Sequence, residues 1–388
     1  MEQTFIVYSS NEQDVEWLRN ALIPHQVLVA DKSAGEILSL CDATGASVIF
    51  VGMDTHEMTR QCNLIEFLLA ARPLLTVVGM GDGLENELII NAMRAGARDF
   101  IVYGMRSNEV MGLVHRISQR TPAVPAKPVK KNATLIYGAQ SSPDAALASA
   151  MLATGLQQQG KQVLLIDLGT PVGEAQEILG LEPGFTFQDA LRNLKRLDSN
   201  LIESAFSRHQ SGLCLLTSTA SDPEFHQTSS TDHYLLQAAL NQHFDHVVIN
   251  LTGQQDSEQL RSLAGMCSQI YWYTDQSMSC CKRNLAVLKH WREMGVRLEN
   301  TGLLIDHYVA QVAPEKQAMA STFELPLIAA IATDPVNRLK VKNAGLSYKG
   351  GAAGNLSRAY RPLMNQTLKS TPQATEKNWL KRVTEVFS

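Results

Sequence analysis

The sequence predicts two doubly wound α/β domains in tandem, each a parallel sheet covered by helices on both faces. Three observations lead there. The chain has 388 residues, more than one ordinary core accommodates. Short β-branched and aliphatic runs alternate with helical patterns through both halves, as strands buried on two faces do. Between the halves, residues 120–131 (RTPAVPAKPVKK) combine prolines and cations with no apolar periodicity, the composition of a stiff, extended linker.

In the first half, strands are expected at TFIVY (4–8), QVLVA (26–30), ASVIFV (46–51), LLTVVG (74–79) and DFIVY (99–103). The intervening EWLRNALI, AGEILSLC, NLIEFLLAA and ENELIINAMRAGA, and finally NEVMGLVHRI, carry helical spacing. Five such units suggest the flavodoxin-like strand order. The second half opens with LIYGAQSSPDAALASAML (135–152), where a β run meets a glycine, crosses a polar turn and enters an alanine-rich helix. GKQVLLIDL follows, then strands at 212–219, 244–251, 268–274, 300–306 and 325–334, separated by helices. The expected divisions are a domain at 1–119, a linker at 120–131, a domain at 132–365 and a tail at 366–388. Within the second domain, the glycine-rich YKGGAAGNLSRAY (348–360) reads as a loop. In the tail, Trp379, Leu380, Val383, Val386 and Phe387 form one helical stripe flanked by Lys377, Lys381 and Arg382, suited to a membrane surface or a partner.

The formal charge of −4 supplies no overall basic field, so no nucleic-acid partner is expected. The N-terminal MEQTFIVYSSNEQD lacks a basic region followed by an apolar stretch, and no secretory signal is expected. No apolar run approaches the roughly 20 residues that span a bilayer. Cys41, Cys62, Cys214, Cys267, Cys280 and Cys281 form no CxxC pair and read as reduced thiols of a cytoplasmic protein. Asp245-His246 and Asp306-His307 lie at strand ends, where adjacent side chains point to opposite faces, so no metal site is expected.

NAMRAGARDFIVYG resembles the fourth helix and fifth strand of response-regulator receiver domains. That resemblance implies an acidic pair after the first strand, a phosphorylated aspartate after the third, a hydroxyl after the fourth and a lysine after the fifth. The matching positions hold Ser9 and Ser10, Gly52, Gly79 and Tyr103. Asp54, two residues beyond the acceptor position, is the one displaced candidate. With no acidic pair to hold Mg²⁺ and no lysine to neutralise a phosphoryl group, it reads as an exposed loop carboxylate.

From residue 132 to about 365, the order of loop, helix, GKQVLLIDL, Walker-B-like strand and IATDPVNRLKVKNAGLSYK resembles the ParA/MinD superfamily of P-loop ATPases. A receiver-like domain joined by a linker to a ParA/MinD-like domain is the arrangement of the TadZ/CpaE family of Flp (Tad) pilus assembly proteins.

A phosphate loop works because successive N–H groups point into one concavity, with glycines for the turn, lysine for charge, and a hydroxyl and a carboxylate for Mg²⁺. The loop here begins at Gly138. By the resemblance, Gln140 stands for the signature lysine, Ser141 and Ser142 for central glycines, Asp144 for the last glycine, Ala145 for the loop lysine and Ala146 for the hydroxyl. Asn250 stands for the Walker-B aspartate, Asp306 replaces the asparagine near the adenine, and Asp167 keeps its carboxylate. A carboxylate about 4 Å from a phosphate charge costs about 4 kcal/mol at an effective dielectric of 20. Micromolar binding supplies only about 8 kcal/mol in total. Ser142, Pro143 and Asp144 instead have the residue types that cap a helix from within.

The expected activity is therefore none: a pseudo-ATPase with no resident cofactor, ATP with Mg²⁺ being the alternative. The resemblance implies an assembly and positioning protein of the pilus secretion machinery, cytoplasmic, often polar and peripherally associated with the inner membrane. Its implied partners are pilus-assembly proteins, including the secretion motor ATPase, and a second copy of itself. The alternatives are a ParA/MinD-type switch ATPase with a site rebuilt around Asp167, and a DNA-partition protein.

Overall fold

A computed structural model describes residues 3–30, 33–120, 132–182, 184–222, 225–346 and 351–370. In the first domain strand and helix alternate as β1 (Thr4–Tyr8), α1 (Glu12–Ala21), β2 (Gln26–Val29), α2 (Ala34–Thr44), β3 (Val48–Gly52), α3 (Met58–Ala71), β4 (Thr76–Gly81), α4 (Asn86–Arg94), β5 (Asp99–Val102) and α5 (Ser107–Arg120). All pairs are parallel, in the expected order β2-β1-β3-β4-β5. Asn11 and Ser33 accept hydrogen bonds from the Gln13 and Glu36 amides, so polar residues ahead of the apolar runs start α1 and α2. Phe5, Val7, Phe50, Val78 and Ile101 bury one sheet face under α1 and α5; Ile6, Ile49 and Val77 bury the other under α2, α3 and α4.

The second domain runs β6 (Ala133–Tyr137), α6 (Pro143–Gln158), β7 (Val163–Asp167), α7 (Glu174–Leu179), α8 (Phe187–Arg192), α9 (Ser199–Ala205), β8 (Ser207–Arg208), β9 (Cys214–Thr217), α10 (Ser230–His243) and β10 (His246–Asn250). It continues through α11 (Glu258–Met266), β11 (Gln269–Thr274), α12 (Met278–Glu293), β12 (Thr301–Tyr308), α13 (Lys316–Phe323), β13 (Leu327–Ala332), α14 (Pro335–Ala344) and α15 (Gly351–Ser370). The sheet order is β13-β12-β11-β6-β10-β7-β9-β8, parallel except at the β8–β9 edge, which the sequence patterning missed. From β6 the chain passes over β10 to β7, and from β10 it crosses back over β6 to β11. The order reverses at this point, so the loops after β6, β7 and β10 meet where ligands bind in open α/β sheets.

Two expectations need correction. Residues 351–370 are a 20-residue helix rather than a loop, because Leu356, Tyr360, Leu363 and Thr367 fall on one stripe that packs against the second domain. The domain therefore extends to Ser370, five residues past the expected limit: the Tyr271 hydroxyl bonds the Leu363 carbonyl at 2.9 Å and Thr367 Oγ1 at 2.7 Å. The tail stripe of Trp379, Leu380, Val383, Val386 and Phe387, and linker residues 121–131, lie outside the described residues.

The halves touch. α10 lies against α2 and the β2 edge, Thr231 Oγ1 donates to the Val29 carbonyl, and Arg19 pairs with Glu258. None of the six cysteines is disulfide-bonded, and among the described residues no helix is long and apolar enough to cross a membrane.

Candidate functional site

In the first domain the receiver positions are filled by packing. A Cβ on Gly52 would lie 2.7 Å from Ser9 Oγ, so the Ser9 side chain occupies the space an acceptor carboxylate needs. Gly79 lies under the Phe100 ring, 2.5 Å from where its Cβ would stand. Tyr103 packs edge-on to Trp17 at 5.8 Å and hydrogen-bonds Asp14, while burial pushes its phenol well above the usual range. Asp54 is exposed, as expected; its Oδ1 accepts from the His56 amide at 2.7 Å. Ser10, beside Ser9, is also exposed.

In the second domain the phosphate-loop candidate is stitched to its neighbours. The Ala139 amide donates to Asn284 Oδ1 at 3.0 Å, and the Ser142 amide donates to the Thr170 carbonyl at 2.9 Å. Ser141 Oγ donates to the same carbonyl at 2.7 Å. Gly253, in the loop after β10, donates to the Gly138 carbonyl at 2.7 Å and lies close enough that its Cβ would sit 2.7 Å from Ser141 Cα. Its φ of +80° favours glycine at this crossing. Two amides of this loop are thus satisfied internally, and Pro143 has none to offer.

This corrects the expectation of a loop capped by its own side chains. Ser142 occupies the N-cap of α6 but makes no side-chain cap bond; its hydroxyl lies 3.2 Å from the Tyr273 hydroxyl. The closing partners instead come from α12 and the β7 loop. Asn284 is fully buried and fixed by Trp272 Nε1 at 2.9 Å, a partnership with no signature in the sequence. Gln140 carries a buried side-chain oxygen without a hydrogen-bond partner among the described residues, and Ala145 is fully buried in the helix.

Asp167 and Asn250 stand abreast on β7 and β10. Asn250 Nδ2 donates to Asp167 Oδ1 at 2.7 Å, and the Ala175 amide donates to Oδ2 at 3.0 Å. Burial pushes the Asp167 carboxyl up to about 6 against these hydrogen bonds, which lower it. The one retained carboxylate is held by its own protein.

Asp144 also differs from expectation. Its carboxylate meets cations from β12 and α14. His307 Nε2 lies 2.8 Å from Oδ2; Lys342 Nζ and Arg338 Nη1 lie 3.1 and 3.4 Å from Oδ1. Burial would raise the Asp144 carboxyl, but contacts with His307 and Lys342 and the charges of Lys342 and Arg338 outweigh it and hold it well below the usual carboxylate range. The bond to Asp144 raises His307 above an ordinary imidazole, against burial, which lowers it. Asp306 is fully buried, binds Arg338 through both oxygens and accepts from the Tyr273 hydroxyl at 2.8 Å. Asp306 and His307 were expected to face opposite ways. A register shift in β12 and a φ of +52° at His307 turn both into one cluster. The sequence did carry one clue: Arg338 and Lys342 are spaced i, i+4 behind Asp334 and Pro335, which cap and start α14.

These features define the class: a receiver-fold domain joined to a domain with the fold of ParA-type ATPases. Residues 1–131 match the family described as pilus assembly protein TadZ N-terminal. The CheY-like TadZ protein of Pseudomonas aeruginosa PAO1 is 43% identical over 30% of this chain and 99% of its own, with a TM-score of 0.29; the identity carries this relationship. A ParA family ATPase from Chlorobium tepidum TLS is 15% identical over 62% of this chain and 98% of its own, with a TM-score of 0.53, and shows a shared fold alone. No curated protein matches the chain. The chain belongs to the TadZ family of pilus assembly proteins.

Proposed function

We propose that this chain is a non-catalytic positioning protein of the Tad pilus secretion machinery, acting through protein–protein contacts and without a nucleotide cycle. The observation that carries the reading is the closed loop: the Ala139 and Ser142 amides bond Asn284 and Thr170, and no lysine stands at 140 or 145. A nucleotide would have to break those bonds and still lack its cations, a loss comparable to the roughly 8 kcal/mol of micromolar binding. The receiver-like half, without an acceptor carboxylate at 52, would serve as a docking surface, and the ATPase-like half as a scaffold for the machinery and its motor ATPase. The expected setting is cytoplasmic, at a cell pole, with peripheral contact to the inner membrane or a partner. A dimer here would form without the ATP clamp.

Calorimetric titration of the full chain with Mg-ATP is expected to give no saturable heat. Micromolar binding that vanishes in Asp167→Ala would establish the rival, a switch ATPase rebuilt around that carboxylate.

A further inference from the structure

Donors from two separate elements converge on one carboxylate at the head of α6. His307 reaches it from the end of β12, and Arg338 and Lys342 from successive turns of α14. We propose that His307, Arg338 and Lys342 form an oxyanion pocket of the phosphate class, whose resident anion is the chain's own Asp144 carboxylate. The proposal rests on the reading of the adjacent loop as closed, and adds that a cationic cluster able to hold an anion stands beside it, filled in cis.

The charges support an anion receptor. Arg338 and Lys342 are balanced by Asp144 and Asp306, so removing Asp144 leaves at least one uncompensated positive charge. Arg338 keeps its place without Asp144, because both Asp306 oxygens hold it and the Tyr273 hydroxyl in turn bonds Asp306; the charge set free is that of Lys342. The donors are also incompletely used. Among the described residues, Asp144 Oδ1 has two cations within 3.4 Å but no aligned hydrogen bond, and Arg338 Nε, on a side chain only 3% exposed, makes none either, with the Tyr360 hydroxyl beside that guanidinium. A carboxylate tethered to a helix cannot satisfy every donor; a tetrahedral oxyanion has more oxygens to offer. His307 and Lys342 are partly exposed, so a route from solvent exists. In the wild type the tethered group wins by effective concentration.

The test is thermal unfolding with inorganic phosphate, against sodium chloride at equal ionic strength. Asp144→Gly is expected to gain about 3 °C in Tm at a tenfold excess of phosphate over its Kd, and the wild type nothing. Adding Lys342→Gln is expected to weaken phosphate binding about tenfold. Asp144→Ser, which leaves an acceptor for His307, serves as the second variant should glycine unsettle the helix start. A phosphate-specific rise in either variant, lost with Lys342→Gln, supports the pocket. No such rise in a folded variant, or failure of both to fold with phosphate present, overturns it. Neither result bears on the closed loop, which wild-type Mg-ATP titration decides separately.

Discussion

Asn250 stands beside Asp167, and its amide nitrogen decides what that pair can do. An aspartate there would complete the Walker-B position and place two carboxylates at hydrogen-bonding distance in a buried site. Asp167 alone already titrates near 6 in the fold because of burial, above its unfolded value near 4. A raised carboxyl opposes folding as pH climbs from the unfolded value through the folded one, and a second charge strengthens that opposition. Asn250→Asp is therefore expected to cost about 3 kcal/mol near pH 8 and much less near pH 5, read by urea denaturation. A penalty equal at both pH values would mean that the two groups do not face each other. The same logic explains what Asn250 does in the native chain: it donates to the retained carboxylate where an acidic neighbour would repel it.

At the scale of elements, legibility followed locality. The strands could be read because parallel strands buried on both faces are continuous apolar runs, such as VIFVG in β3 and QIYWYT in β11. α15 was hidden because Gly350, Gly351 and Gly354 suggest a loop, while the stripe that fixes it, Leu356 to Thr367, begins later and is stabilised by tertiary contacts with α6, α14, β13 and the Tyr271 hydroxyl. The ion cluster was hidden for a related reason. Asp144, His307 and Arg338 are far apart in the chain, and the backbone turn at His307 that joins them leaves no local pattern. α15 can be tested directly. Leu363 is fully buried against the alanine face of α6, so Leu363→Ala should lower stability by about 2–5 kcal/mol. A loop would tolerate the change, and an unchanged denaturation midpoint would remove α15 from the core.

At the scale of the whole molecule, the question is what keeps the two halves docked if no nucleotide does. Their contact is polar at its edge: Arg19 pairs with Glu258, which Ser230 Oγ of the same half also bonds at 3.3 Å, and Thr231 bonds the Val29 carbonyl. A cavity of about 1260 Å³ opens beside it, lined from both sides by residues such as Tyr8, His25, Arg261 and Asn300. The ion pair is partly exposed, so its attraction amounts to less than about 1 kcal/mol, but reversing one charge replaces attraction with repulsion. Arg19→Glu or Glu258→Arg alone should open the docked arrangement severalfold, seen as a larger radius of gyration in low-salt X-ray scattering, and salt should narrow the difference. The double reversal should restore the compact form. If both single variants scatter like the wild type, the pair is incidental and the apolar contact of α10 with α2 and β2 carries the docking. If they open and the double variant closes, the halves are held by constitutive side-chain chemistry, which is what the proposed function calls for.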